Sequence, residues 1–345
     1  MRYREFAETT EKSFVSGRPE GNERVNRRNL SFGSSLILAL ATAPAWAQPY
    51  PNRTVRVIVP NASAGVVDIA ARIVAAKLGE LLAQQFVVEN RVGAGSTIGT
   101  AAAVTAPPDG YTLLVVFDGH AKNPHLFKNL EYKTVGDLAP VSLLVRGPLV
   151  LVVHPGVPAW TVKELVQLAR AQPGAINFAS VGPGSPARLL MEWLKLEARI
   201  NVTNVPYKAA AIALTDLVGG QVDAMFPTVS SAVPHLRSGR LRPIAVTSDK
   251  QTPVVPGAPT MSATYPGFVA ESWVGLLAPA KTPSGIIARF NAETVRALGQ
   301  PDLKARFSEL ALETAGGTPA QFDQWIRAEI ERWGRVIREQ KIALE

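Results

Sequence analysis

Residues 55–89 of the chain read VRVIVPNASAGVVDIAARIVAAKLGELLAQQFVVE and set the architecture. The β-branched run over 55–59 predicts a strand, because valine and isoleucine fit the pleated surface of a sheet. Over 68–84, Ile69, Ile73 and Leu78 recur near one face of a predicted helix. A second apolar run at 86–89 predicts the next strand. Strand, loop, helix and strand together form the repeating unit of α/β proteins.

The same alternation continues along the rest of the chain. Apolar runs predict further strands at 112–117, 150–153, 176–179, 203–205, 224–226, 244–247 and 274–277. Capping residues mark three helix starts, at Thr161, Thr282 and Thr318. Strands that alternate with helices indicate sheets covered on both faces.

The length of 345 residues exceeds what one sheet holds comfortably and predicts two lobes. We predict an α/β fold in which each lobe is a mostly parallel sheet flanked by helices. Lobe 1 is predicted to contain residues 48–148 and 255–345, and lobe 2 residues 149–254. The chain therefore crosses twice between the lobes.

The first 47 residues are typical of an export signal. Arg27 and Arg28 precede an apolar run over 36–43, and an A-x-A site follows at 45–47. This pattern predicts a signal peptide over 1–47, with a start codon assigned too far upstream. The apolar run is shorter than the ~20 residues that span a membrane. We expect a periplasmic protein, and the arginine pair leaves both Sec and twin-arginine export open.

The composition excludes several classes of function. The chain has no cysteine and four scattered histidines, so thiolate and zinc sites are not expected. Its net charge of +8 is dispersed without an aromatic–basic platform, which argues against nucleic-acid binding. A nucleophile elbow is absent, and the glycine run at 93–99 lacks dinucleotide spacing. We predict a protein without catalytic residues, metal or cofactor.

Candidate ligand-binding residues lie where strands lead into helices, since open parallel sheets bind ligands at the carboxyl ends of their strands. Loops rich in small residues occur at 61–65, 180–185, 207–210 and 227–230. Their backbone N–H groups lie beside helix N-termini, whose partial positive charge favours a carboxylate or phosphate. The predicted ligand-binding residues are Ser63, Ala64, Gly65, Asp68, Asp118, Ser180, Gly184, Ser185, Tyr207, Lys208, Ala209 and Thr228.

Ordered motifs after residue 47 resemble one known family over essentially the whole remaining chain. The motifs are Glu89-Asn90-Arg91-x-Gly93-Ala94-Gly95, Pro108-Asp109-Gly110-Tyr111, Asn123-Pro124, Phe178-Ala179-Ser180, Val205-Pro206-Tyr207-Lys208, Gly219-Gly220-Gln221-Val222-Asp223 and Gly275-Leu276-Leu277-Ala278-Pro279. They are similar to motifs of the Bug/TctC family, the extracytoplasmic substrate-binding proteins of tripartite tricarboxylate transporters.

This resemblance implies a periplasmic-binding-protein fold of type II, whose two lobes close about a hinge on a small carboxylate. Loops equivalent to 63–68, 180–185 and 207–210 hold the ligand in the family. The implied ligands are di- or tricarboxylates, acidic amino acids or aromatic acids. The implied partners are integral membrane transporter subunits, and we expect a monomer.

The sequence also departs from the family pattern. The loop before Asp68 reads Ala64-Gly65-Val66-Val67, where the family usually has Pro-Gly-Gly, and the two valines are expected to narrow the pocket or make it more apolar. Arg188 stands where a histidine is common, and Ala209 replaces a glycine. These changes leave the ligand class open. Two alternatives to a transport receptor also stay open: a binding protein for a membrane signalling partner, and a secreted α/β hydrolase acting through Ser185.

Overall fold

The computed structural model describes residues 50–182 and 184–342, so the predicted signal peptide over 1–47 lies outside the described residues. In this part of the chain the strands are β1 Val55–Val59, β2 Phe86–Asn90, β3 Thr112–Phe117, β4 Leu138–Pro148, β5 Val150–Val153, β6 Asn177–Ser180, β7 Thr203–Pro206, β8 Ala224–Met225, β9 Arg242–Val246, β10 Glu271–Pro279 and β11 Glu313–Gly316. The helices are α1 Val66–Leu82, α2 Thr97–Val104, α3 Gly119–Leu126, α4 Val162–Ala171, α5 Pro186–Ala198, α6 Ala210–Val218, α7 Val229–Arg237, α8 Ser284–Leu298, α9 Pro301–Glu309 and α10 Pro319–Glu339. Short 3-10 turns occur at Ala94–Ser96 and Met261–Ala263.

Six of the described strands form one sheet, in the order β11-β4-β10-β3-β1-β2. Strand β1 is parallel to β2 and to β3. Strand β10 is antiparallel to β3 and to β4, and β11 is antiparallel to β4. The parallel part therefore holds the first three strands of the chain, and the later strands add to it in the opposite direction.

Five described strands form a second sheet, in the order β7-β6-β8-β5-β9. Strand β6 is parallel to β7 and to β8. Strand β5 is antiparallel to β8 and to β9. The carboxyl ends of β6, β7 and β8 consequently meet at one edge of this sheet.

The predicted α/β architecture with two helix-flanked sheets is confirmed, but both sheets are mixed and not mostly parallel. The prediction was wrong on this point because β10 and β5, both predicted as strands, run antiparallel to their neighbours. The sequence also did not predict β4 or β11. Strand β4 continues almost directly into β5, so one extended segment belongs to both sheets.

Helices cover both faces of the six-stranded sheet. Along β1, the side chains of Val55, Val57 and Val59 pack into one core cluster with α1, α8 and α9. Ile58 points to the other face and packs with Phe322 of α10. This alternation follows from the two-residue period of a strand.

Helix α10 takes part in the cores of both sheets. Near its start, Phe322 and Ile326 pack against the six-stranded sheet. Near its end, Trp333, Val336 and Ile337 belong to the core cluster of the five-stranded sheet. The helix begins with a complete capping box, as predicted from the sequence at Thr318.

The two chain crossings between the sheets lie side by side. Thr247 follows β9, and its N–H donates a hydrogen bond to the carbonyl of Leu149, at 2.9 Å. In return the N–H of Leu149 donates to Oγ1 of Thr247, also at 2.9 Å. Both residues are buried, so hydrogen bonds inside the protein hold the two crossing segments together.

Candidate ligand-binding site

The carboxyl edge of the five-stranded sheet brings together several of the predicted residues. Ser180 at the end of β6 pairs with Pro206 at the end of β7. The N–H of Tyr207 donates to the carbonyl of Ser180 at 2.8 Å, so two predicted loops start from adjacent backbone. Since β8 also runs parallel to β6, the loop that contains Thr228 leaves from the same edge.

Ser185 organises the loop before α5. Its Oγ accepts a hydrogen bond from the N–H of Arg188, at 3.2 Å, and one from the N–H of Val181, at 3.3 Å. The hydroxyl donates to the carbonyl of Gly182, at 3.0 Å. This is the arrangement expected of an N-cap serine, and it fixes the loop at the positive end of the helix dipole.

The other predicted residues at this edge of the sheet differ in how exposed they are and in whether their side chains form hydrogen bonds. The Ser180 hydroxyl is buried and donates to Oδ1 of Asn204, at 2.6 Å. The Tyr207 hydroxyl donates to Oδ2 of Asp216, at 2.9 Å, and burial, followed by this carboxylate, raises the pKa of Tyr207.

Lys208, Ala209 and Thr228 are exposed. Ala209 is the N-cap residue of α6 without a capping side chain, and Thr228 occupies the same position before α7. These three residues present N-terminal helix ends to solvent, at the edge that also carries Ser185.

In the six-stranded sheet, the predicted loop 63–65 is exposed and is held in place by Asp68. Oδ2 of Asp68 accepts hydrogen bonds from the N–H of Ala64 and from Nε of Arg72, both at 2.9 Å. Oδ1 accepts a hydrogen bond from Nδ2 of Asn90, at 2.9 Å. The Asp68 side chain is buried, and these contacts assign it a role in positioning the loop.

The pKa of Asp68 lies below its ordinary value. Burial alone would raise it, but the hydrogen bonds from Arg72, Asn90 and the backbone of Ala64 outweigh burial because they favour the charged carboxylate.

Asp118 lies directly after β3 and forms a buried ion pair with Lys122. Lys122 Nζ is 3.3 Å from Asp118 Oδ1, and their side chains are 1% and 3% exposed. His120 lies between them in the chain and stacks on Tyr132, with the ring planes 5° apart. Burial lowers the pKa of His120 to about 4, although the backbone at Thr134 opposes the shift.

A cavity of ≈ 1050 Å³ lies between α3 of the six-stranded sheet and the start of α5 in the five-stranded sheet. Of the predicted residues, Gly184 and Ser185 line it. The others do not belong to its wall: Ser63, Ala64, Gly65, Asp68, Asp118, Ser180, Tyr207, Lys208, Ala209 and Thr228. A methyl group built on Gly184 would lie 2.7 Å from Leu126 Cδ1, so the two halves of the wall nearly touch there. The cavity is shared between both sheets.

Sequence reasoning missed Lys122 and Asn123 in this wall. Lys122 lies four residues after Asp118 in the short helix α3, which starts where β3 ends. A lysine one turn after an aspartate at the carboxyl end of a parallel strand was the signal that could have identified it.

Two residues that differ from the usual family pattern, Arg188 and Val66, can be located in the structure. Arg188 Nη2 is 2.7 Å from Glu192 Oε1, and Lys195 Nζ is 2.9 Å from Glu192 Oε2. Arg188 and Lys195 therefore share one carboxylate within α5. Val66 is exposed at the start of α1.

The glycine run after β2 is a tight turn. A methyl group built on Gly99 would lie 2.6 Å from the carbonyl oxygen of Arg91, so the helix start and the preceding chain pack backbone to backbone. Across the described residues, no group of His, Asp or Glu is arranged to hold a metal ion. None of the helices in these ranges is both long and apolar enough to cross a membrane.

Comparisons with known proteins agree on one family. The family model described as the tripartite tricarboxylate transporter family receptor matches residues 70–342. BugT of Bordetella pertussis is 36% identical over 89% of this chain and 95% of its own length. A Pseudomonas protein of the UPF0065 group is 34% identical over 92% of this chain and 96% of its own.

Solved structures give the same result. An R. palustris protein solved with adipate has a TM-score of 0.73 and 33% identity, covering 85% of this chain and 99% of its own. MatC of Rhodopseudomonas palustris, solved with bound malate, has a TM-score of 0.69 and 34% identity, covering 84% of this chain and 100% of its own.

The predicted resemblance and the two-lobed fold class are thereby confirmed. The matched family is one of receptors, which also confirms the prediction that the protein is not an enzyme. The chain belongs to the tripartite tricarboxylate transporter receptor family, the Bug/TctC solute-binding proteins.

Proposed function

We propose that this receptor captures a carboxylate-bearing solute between its two lobes in the periplasm and delivers it to an integral membrane transporter. The observation that carries the proposal is the cavity shared by α3 and the start of α5. Relatives that are more than 30% identical to the chain were solved with adipate and with malate. Both of those ligands are dicarboxylates.

The start of α5 supplies part of the recognition. A helix N-terminus contributes about 0.3–1 kcal/mol to the binding of an anion. A hydrogen bond to a charged group contributes about 1.5–3 kcal/mol. A few such contacts reach the −8 kcal/mol of a micromolar complex. The capped loop at Ser185 holds these groups in place before the ligand arrives, which reduces the entropy lost on binding.

Closure is proposed to occur about the crossing point of the two chain segments. Leu149 and Thr247 exchange hydrogen bonds there, and Thr247 also accepts one from the N–H of Ala270, at 2.9 Å. A ligand shifts the protein toward the closed form only if it binds that form more tightly than the open one.

The direct test is titration of ligand-free protein with carboxylic acids. The protein is unfolded, dialysed and refolded to remove bound solute, and is then titrated calorimetrically with adipate, malate and longer acids. We expect micromolar binding of at least one acid. Ligand at 100 times Kd should raise the free energy of unfolding by about 2.7 kcal/mol. Refolded protein that binds none of the acids would refute the proposal.

A matched pair of cap variants locates the site. Ser185→Ala removes the cap of α5 beside the cavity, whereas Thr161→Ala removes the equivalent cap of α4, where Oγ1 accepts from the N–H of Glu164 at 3.2 Å. Each should cost about 1 kcal/mol of stability. Affinity for the acid should fall several-fold in Ser185→Ala only. An equal loss of affinity in both variants would indicate that the ligand does not bind at the start of α5.

Delivery to a transporter is tested separately in cells. Fractionation should place the protein in the periplasm, and cross-linking in the presence of the identified acid should capture an integral membrane subunit of a transporter. Capture of a signalling receptor instead would favour the alternative role as a sensor.

A further inference from the structure

A buried ammonium group lies in the wall of the shared cavity. Lys122 lines the cavity, and its Nζ is 5.2 Å from the centre of the Trp333 ring. It lies within ion-pair distance of Asp118, but Asp118 Oδ1 accepts no hydrogen bond from any described residue. The contact is therefore an ion pair without a well-aligned hydrogen bond. The ammonium carries three N–H donors, so it can also donate to a ligand oxygen in the cavity.

The other polar side chains of the wall that are not exposed already have hydrogen-bond partners. Nδ2 of Asn123 donates to the carbonyl of Gly95, at 2.9 Å. Nε2 of His125 is 2.8 Å from the carbonyl of Ile330, and the Ser185 hydroxyl donates to its own loop. Lys122 is consequently the strongest anchor that the described part of the wall offers to an anion.

The charge balance of this wall suits one carboxylate and not two. Asp118 already compensates Lys122, so each additional anion makes the cavity more negative. One carboxylate can share the ammonium with Asp118 through direct hydrogen bonds. A second one would have only weaker partners, the partial charge at the start of α5 and Lys128. Lys128 lines the wall but is exposed, where water and salt weaken its attraction.

Most of the remaining wall is apolar. Phe117, Leu126, Phe127, Pro186 and Ile342 line it. Its volume of ≈ 1050 Å³ is at the upper end of the ~300–1,000 Å³ typical of pockets for drug-sized ligands. A four-carbon acid would leave these side chains facing water, whereas a longer apolar body would cover them.

We propose that the preferred ligand is a monocarboxylate with an apolar body, an alkanoic or arylalkanoic acid, whose carboxylate binds Lys122. This inference rests on the proposed function. The apolar body lies along Phe117 and Phe127, and Lys122 determines specificity by binding the single charged group. Affinity should then increase about fourfold with each methylene added to the acid, until the cavity is filled.

The first experiment compares chain-matched acids on refolded, ligand-free protein. Hexanoate, heptanoate and octanoate test the methylene increment, and octanedioate tests the second carboxylate at equal length. Octanoate should bind at least tenfold more tightly than octanedioate and than malate. Equal or tighter binding of octanedioate would overturn the inference.

The second experiment removes the anchor without leaving a buried charge unpaired. Lys122→Met alone would leave the buried Asp118 carboxylate without its positively charged partner. A loss of binding in that variant would not separate the loss of the anchor from a loss of folding. The double variant Asp118→Asn/Lys122→Met removes both charges. It should lose at least tenfold in affinity for octanoate and keep its affinity for octan-1-ol, which has the same body without the charge. Unchanged octanoate binding in the folded double variant would contradict the role of Lys122.

Two lysine controls separate the anchor from general positive charge. Lys163→Met changes an exposed lysine of α4 outside the cavity wall and should leave octanoate binding unchanged. Lys128→Met should reduce octanoate affinity less than twofold. A large loss of octanedioate binding in Lys128→Met, together with tight binding of that diacid by the parent protein, would identify a dicarboxylate site.

The outcomes also distinguish this inference from the proposed function. Binding of malate, adipate or octanedioate in preference to octanoate refutes the inference and keeps the carboxylate receptor. Binding of none of the acids refutes both.

Discussion

The indole nitrogen of Trp333 donates a hydrogen bond to Oε2 of Glu329, at 3.0 Å, one turn away on α10. The same oxygen accepts a hydrogen bond from the indole of Trp273 on β10, at 3.2 Å. Trp333 also packs edge-on against Trp193 of α5, with ring centres 5.9 Å apart. A single buried carboxylate therefore connects the last helix to the six-stranded sheet and, through Trp333, to the five-stranded sheet.

Removing this carboxylate should destabilise the protein. Glu329→Ala leaves two buried indole donors without an acceptor and should lower the free energy of unfolding by about 2–4 kcal/mol. Glu329→Gln keeps an acceptor oxygen at the same place and should lose less than half as much. Urea unfolding monitored by tryptophan fluorescence measures both values. Equal stability of Glu329→Ala and the parent protein would contradict this role.

The network around Asp68 gives a second prediction, with a defined pH dependence. Asp68→Asn places an amide donor opposite a donor from Asn90, Arg72 or Ala64, and should cost about 1–3 kcal/mol at pH 7. Because folding lowers the pKa of Asp68, its stabilisation is present above its unfolded pKa of 3.8 and is lost as the pH falls through the lower folded value.

Chemical denaturation of both proteins between pH 7 and pH 2 checks this expectation. The difference in free energy of unfolding should be constant near neutral pH and should shrink below pH 3.8. Asp302→Asn is the matched control, because Asp302 pairs with Lys77 at the surface. It should change stability far less. A pH-independent difference for Asp68→Asn would contradict the assignment.

His120 should make the protein sensitive to mild acid. The unfolded chain takes up a proton near pH 6.5, whereas the folded chain does so only near pH 4. Stability should therefore fall as the pH falls through this window, by about 3 kcal/mol in total. The variant His120→Leu should lack this part of the loss.

Unfolding free energies of the parent and of His120→Leu, measured between pH 7 and pH 4, test this directly. Over this range the parent should lose about 3 kcal/mol more stability than His120→Leu. A nuclear magnetic resonance titration of the His120 ring should show no protonation above pH 5. If the stability of the parent and of His120→Leu changed equally with pH, the His120 ring would have the same pKa in the folded and unfolded chain, which would contradict the prediction.

The contact between Gly275 of β10 and Phe322 of α10 leads to a fourth prediction. A methyl group at Gly275 would overlap the Phe322 ring, and Phe322 is buried. Gly275→Ala should therefore cost about 1–3 kcal/mol by overpacking. Phe322→Leu provides room, so the double variant should be more stable than the sum of the single effects predicts. Strict additivity in thermal or urea unfolding would contradict the overlap.

The sequence predicted those strands whose side chains alternate or are apolar throughout. The bounds of β1, β3 and β5 coincide with the predicted 55–59, 112–117 and 150–153. It did not reveal β4 or β11. Residues 138–148 contain prolines, an arginine and a glycine, and their extended form depends on pairing with β10, which is more than a hundred residues away in the chain. Local patterns carry no information about such a partner.

The site was predictable to a similar extent. The small-residue loop before α5 was identified because Ser185 has the character of an N-cap. Lys122 was not, because a lysine on a short polar helix is usually exposed, and only the tertiary packing of Trp333 and Asp118 around it makes it a buried cation. The aspartate at 68 was identified as a candidate, but its partner Asn90 lies on another strand and was not visible locally.

The position of α10 has a consequence for biogenesis. The core of each sheet includes side chains from this helix, Phe322 and Ile326 in one and Trp333, Val336 and Ile337 in the other. Neither core is complete until the C-terminal residues have emerged from the ribosome. The packing of both halves is therefore completed only late in synthesis. A molecule cut before residue 322 would expose apolar surface on both halves to proteases.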